Sequence, residues 1–170
     1  MKEQGEVKSS FDRFVEYALY GAAFLMIIFQ TAIVWSPLFG PLKNQNTHLG
    51  FCLSIMFLVI ALKSKRMISK LIYIICIPIS IGLVAYMAIH IDRLTMFAGF
   101  PEFFDIIVGI IMVSFVLFIV WKQWGIVFPG LVAIGLIYAL WGHHIPGVLG
   151  HPPFEFGYII SNISVGFQGI

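Results

Sequence analysis

"FVEYALYGAAFLMIIFQTAIVW", residues 14–35, carries one charged side chain, Glu16, and that residue lies in its first turn. At 1.5 Å per residue a helix of this length reaches across a ~30 Å hydrocarbon core. Its apolar part is longer than the roughly 7–15 residues of a signal-peptide core, and no small-x-small cleavage site follows, so it reads as a retained span. Four more stretches have the same character: 47–62, 71–91, 104–121 and 124–141. The composition agrees. With 60% hydrophobic and 11% charged residues and a mean hydropathy of +0.98, the chain has too little polar surface for a water-soluble particle. The expected fold is an all-α integral membrane protein with about five transmembrane helices and membrane lipid as its surroundings.

Local signals mark the ends of these spans. The second, "THLGFCLSIMFLVIAL", is short at about 24 Å, and Lys63 and Lys65 are expected to snorkel and complete it. Pro78 should kink the third. The fourth opens at "FPEFFD", 100–105, where Pro101 suits a first helical turn and Glu102 and Asp105 place negative charge at the positive end of the helix dipole. The fifth follows after only Lys122 and Gln123. Trp35, Trp121, Trp124 and Trp141 all fall at expected span ends, as an aromatic belt would place them.

Orientation follows from Lys and Arg in the short connections. Lys2, Lys8 and Arg13 precede the first span, Lys63, Lys65, Arg66 and Lys70 follow the second, and only Lys43 and Arg93 occupy the alternate connections. The expectation is a cytoplasmic N-terminus, with Lys63, Lys65, Arg66 and Lys70 as topology determinants. Residues 1–141 then form one helical membrane domain, and 142–170 an outer-side connector with an apolar tail. The basic residues form no patch, so no nucleic-acid partner is expected.

That topology gathers all five histidines at one face. His48 and His90, at span ends, are the pair a bis-imidazole haem would use, although as headgroup-level histidines they need no ligand. "HHIPGVLGH", 143–151, is broken by Pro146, Gly147 and Gly150 and reads as a loop. His143 and His144 would point about 100° apart on a helix, and no carboxylate interleaves, so no metal is expected there. Glu16, Asp92, Arg93 and Asp105 sit at span ends. The span interiors offer Gln30, Ser54, Ser80 and Ser114, which read as helix–helix hydrogen-bonding groups. Gly21, Ala22, Ala23, Gly109, Gly135 and Ala139 suit close helix packing. Cys52 and Cys76 lie about 15 Å apart in depth, too far for a disulfide. No G-x-S-x-G, phosphate loop or acid–base pair is present, so no catalytic residue and no cofactor site is assigned. The tail "PPFEFGYIISNISVGFQGI", 152–170, is a poor span and is expected at the interface or on another protein.

The order of motifs resembles a known family. "THLGF" opens the second span at 47–51, "GFPEFFDIIVGIIMV" covers 99–113, "IYALWGHHIPGVLGHPPF" covers 137–154, and "VGFQGI" ends the chain at 165–170. In this order they resemble the N-terminal, small-subunit portion of the fused membrane components of TRAP transporters, those working with TAXI-type binding proteins. The weightiest matches are His48-Leu49, the Gly99-x-Pro101-x-x-x-Asp105 run followed by Gly109, and the Gly142, Ile145-Pro146-Gly147 and His151 pattern. The family's Glu and Arg at the turn matching "VWKQWG", 120–125, are missing, and Lys122 alone stands there. The resemblance implies a membrane scaffold in a bacterial inner membrane. A large transport subunit would hold the substrate and cation sites, and a periplasmic substrate-binding protein would deliver organic acids. It also implies a separately encoded small subunit, or the front piece of a split fusion. The alternative is a membrane-anchor subunit of a respiratory complex binding haem or quinone.

Overall fold

The computed structural model describes residues 9–36, 40–97 and 99–165, and these form helices and turns with no strand among them. Helix α1 runs Ser10–Trp35, α2 Pro41–Lys63, α3 Met67–Ile89, α4 Ile91–Met96, α5 Phe103–Trp124 and α6 Val127–Trp141. A 3₁₀ turn, Gly142–His144, extends α6, and a short α7, Phe156–Ile160, passes into a π turn, Ser161–Val165. Five segments are long and apolar enough to cross a membrane: α1, α2, α3, α5, and α6 with its 3₁₀ turn. The chain is a multi-pass, all-α membrane protein.

Helices α1 and α3 each begin four residues before the spans read from the sequence, and two larger differences follow. Helix α2 starts six residues before Thr47, with Pro41 in its first turn. The polar run Asn44-Gln45-Asn46 looks like a loop, yet Asn46 is buried in the helix. At 23 residues α2 is about 34 Å long and needs no snorkelling lysines to span. The turn between the last two spans, read at Lys122 and Gln123, falls at Gly125–Ile126, and Lys122 and Gln123 belong to α5. Gly125 ends α5 with a φ of +83°, a left-handed conformation that glycine adopts without strain.

The chain divides into two compact units, 1–82 and 83–170, with the division within α3. In the first unit Val15, Leu58 and Ala61 are buried. Phe11, Ala18, Leu19 and Ala22 of α1 pack around them, with Leu62 of α2 and Tyr73, Ile74 and Ile77 of α3. The α1 positions follow helical spacing and form one stripe. Lys70, in the first turn of α3, donates to Asp12 in the first turn of α1. Phe29 and Phe51 meet at 5.6 Å towards the other end of the α1–α2 hairpin. In lipid such contacts gain from close packing, because the hydrocarbon is already as apolar as the partner helix.

In the second unit α5 buries Asp105, Val108, Gly109 and Met112, again one helical stripe. The tail covers this stripe: Ile159, Ile160, Ser161 and Ser164 are buried, with Ile160 and Ser164 against Gly109. As far as Val165 the tail packs on α5 of its own chain, a contact with no sign in the sequence. Five residues of α7 are too few for periodicity to signal a helix, and the partner surface is 50 residues away in sequence. Residues 166–170 of that tail lie outside the described residues. Helix α6 has no fully buried residue; Leu136, Ala139 and Leu140 are half-buried and most of its other apolar side chains are exposed.

Candidate functional site

The polar cluster in the second unit is built by a change of direction. Helix α3 stops at Ile89, His90 leaves the helical conformation, and the short α4 carries Arg93. The chain turns through Gly99, whose φ is +92°, and Pro101, and Glu102 then caps α5. Glu102 and Asp105 form a reciprocal capping box: each side chain accepts the other's backbone N–H, with Glu102 N to Asp105 Oδ2 at 2.8 Å. The sequence reading assigned both carboxylates to the helix dipole. Their mutual capping is the more specific arrangement.

Asp105 is fully buried, and its two oxygens accept four hydrogen bonds. Arg93 donates in a fork, Nη1 to Oδ2 at 2.8 Å and Nη2 to Oδ1 at 2.7 Å. Tyr86 Oη donates to Oδ1 at 2.8 Å and accepts from Arg93 Nη2 at 3.2 Å. Glu102 lies 3.1 Å from Arg93 Nη1 on the exposed side. The hydrogen bonds to Asp105 push the Arg93 pKa above even its ordinary high value. A carboxylate holding four donors has no lone pair left for a substrate or a cation. The arrangement is a charge clamp joining the end of α3, α4 and the start of α5.

Arg93 and Asp105 were visible in the sequence as separate charges at span ends, as was Asp92 beside Arg93. Asp92 is exposed and Arg93 reaches twelve residues on to Asp105. Tyr86 was missed, because a tyrosine in an apolar span carries no sign of its partner. The run from Gly99 to Gly109 also seats the tail. A Cβ on Gly99 would lie 2.9 Å from the Tyr158 ring, and one on Gly157 would lie 3.1 Å from Ile106 and 3.4 Å from Pro101.

The remaining candidates separate. Gln30 crosses from α1 to meet Nδ1 of His48, whose Nε2 lies 3.4 Å from Cys52 Sγ. Ser54, Ser80 and Ser114 do not bridge helices as expected. They donate to the carbonyls of Gly50, Cys76 and Ile110 in their own helices, at 2.7–2.9 Å, the nearest acceptors in an apolar setting. The His90 ring lies 4.6 Å from Tyr86, and His143 and His144 lie side by side at 3.9 Å. Ala22 joins the first core, whereas Gly21 and Gly135 face open space. Cys52 and Cys76 are free thiols. Lys63 ends α2, and Lys65 and Arg66 are exposed in the turn before α3. No three His, Cys, Asp or Glu side chains among the described residues converge as a metal site.

These features define a multi-pass helical membrane protein with a closed ionic clamp at the end of one span and a tail folded back beside it. Compared with family models, curated proteins and solved structures, the chain matches none.

Proposed function

We propose that this chain is the small, static membrane subunit of a TRAP-type, binding-protein-dependent transporter for organic acids in a bacterial inner membrane, with no substrate site of its own. The observation that carries the reading is where polar groups go. A charged solute crossing hydrocarbon needs compensating groups along its route. In the described spans the serine hydroxyls are spent on their own helices, and the buried carboxylate Asp105 is saturated by Arg93, Tyr86 and the Glu102 N–H. The order of motifs from His48-Leu49 to His151 adds support through its resemblance to the family. A large transport subunit would carry the moving substrate site, and a periplasmic binding protein would supply it.

The test is reconstitution. The chain, the large permease and the binding protein are expressed together, and the chain is also expressed alone. Substrate uptake is expected only when all three are present. Uptake by the chain alone would refute the proposal, as would full uptake by the permease without it.

The reading also fixes sides. In a background lacking Cys52 and Cys76, an impermeant thiol reagent on intact cells should label Val148→Cys and spare Arg66→Cys. Val148 suits the test because its side chain is fully exposed at a turn. The reverse labelling would invert the topology.

A further inference from the structure

The loop after α6 closes on one histidine. His151 Nε2 lies 3.0 Å from the carbonyl oxygen of Tyr138, in the last turn of α6, and Nδ1 lies 2.6 Å from that of Pro152. Both partners are acceptors only. A neutral imidazole has one N–H and one lone pair, so it satisfies one carbonyl and turns a lone pair on the other. An imidazolium donates to both.

The surroundings favour the charged form. The Tyr138 carbonyl belongs to the negative end of α6. The Tyr138 ring meets His151 edge-on at 5.1 Å, and Phe154 stacks on it at 5.0 Å, within reach of a cation–π interaction. Gly142 lies directly beneath the ring, where a Cβ would collide with it. Tyr138 Oη donates to the Leu149 carbonyl at 2.6 Å, which ties the same loop to the same helix turn. From α6 the titratable group facing His151 is Tyr138, and from α7 it is Tyr158, beyond Phe154. His143 and His144 in the 3₁₀ turn face each other. Among the described residues the hydrogen-bond partners of His151 are the two carbonyls, with no carboxylate.

We propose that His151 is a proton-operated clasp: as an imidazolium it pins residues 145–155 to the end of α6, and as a neutral imidazole it lets them go. The effect continues into the tail. Phe154 stacks on Tyr158 at 5.6 Å, and the Tyr158 ring covers Gly99 at the entrance to α5. Opening the clasp therefore loosens α7 as well.

The Tyr138 carbonyl first, and the Pro152 carbonyl second, raise the His151 pKa above the ordinary histidine value. A raised folded value means the stabilisation is complete below about 6.5 and is lost as pH rises through the folded value. The clasp closes in acid and opens in base.

The full chain in lipid nanodiscs, with ¹⁵N-histidine, tests this directly. At pH 6.5 both His151 ring nitrogens are expected to be protonated, with a midpoint above the ordinary histidine value. Hydrogen-exchange protection factors over 145–160 should fall roughly tenfold through that same midpoint, as one charge-assisted hydrogen bond is lost. His151→Gln should hold the segment at the low-protection level at every pH, while His143→Gln keeps the transition. A single protonated nitrogen at pH 6.5, or protection that ignores the His151 midpoint, would overturn the clasp. The spectroscopic readout uses the unaltered chain and stands even where a variant fails to fold.

Discussion

Asp105→Ala is expected to destabilise the second unit by about 3 kcal/mol, because it leaves a guanidinium half-buried without its partner. Arg93 retains 26% exposure, and Glu102 remains 3.1 Å away, so part of the loss is recovered and the lower end of the usual range applies. Three further groups lose their acceptor: the Tyr86 hydroxyl, the second Arg93 nitrogen and the Glu102 backbone N–H. The cap of α5 goes with them. The double change Arg93→Met with Asp105→Leu should cost less than Asp105→Ala alone, since it strands no charge. Unfolding in nanodiscs, followed by helix content, measures all three variants. Asp105→Ala and Arg93→Gln both within about 0.5 kcal/mol of the parent would mean that the clamp contributes nothing to stability.

Gly109→Leu should release the tail while sparing α5. Any Cβ at this position meets Ser164 and Ile160, and a leucine adds three more carbons where the helices already touch. Overpacking of this kind costs about 1–3 kcal/mol. Here that cost is relieved by undocking a segment held by few other contacts. Hydrogen exchange over 156–164 should rise about tenfold or more, with 106–120 unchanged. Gly21→Leu and Gly135→Leu serve as controls, because both positions face open space and should leave exchange unaltered. Equal effects at all three glycines would show that the seam is no tighter than a lipid-facing surface.

Gly109 and Gly135 also mark how far the sequence could be read. Both sit in apolar helices and suit close packing equally well, but only Gly109 has a neighbour, supplied by chain 50 residues away. The span positions were legible because hydrocarbon imposes length and composition on any helix that crosses it. The start of α2 was not, since Asn44, Gln45 and Asn46 carry the polarity of a loop while Pro41 already sets a helical φ. Arg93 and Asp105 were recognisable as interfacial charges. Their pairing was not, because it depends on the His90 break and the Gly99 turn bringing α4 back to α5. The serines failed in the opposite sense: a hydroxyl in a span suggests a partner helix, and each of the three found a carbonyl one turn back. The sequence set His48 and His90 apart as a pair and left His143, His144 and His151 together in a loop. The fold shows that, among the described residues, His151 has two backbone carbonyls to bind.

The two-residue turn at Gly125–Ile126 bears on how the protein is made. Too little chain lies between α5 and α6 for one helix to settle in the bilayer while the next waits in water. Lys122 is the basic residue at that turn, and it lies over the rings of Phe118 at 5.5 Å and Trp121 at 5.4 Å. So short a turn is expected to favour entry of the two spans into lipid together, as a helical hairpin.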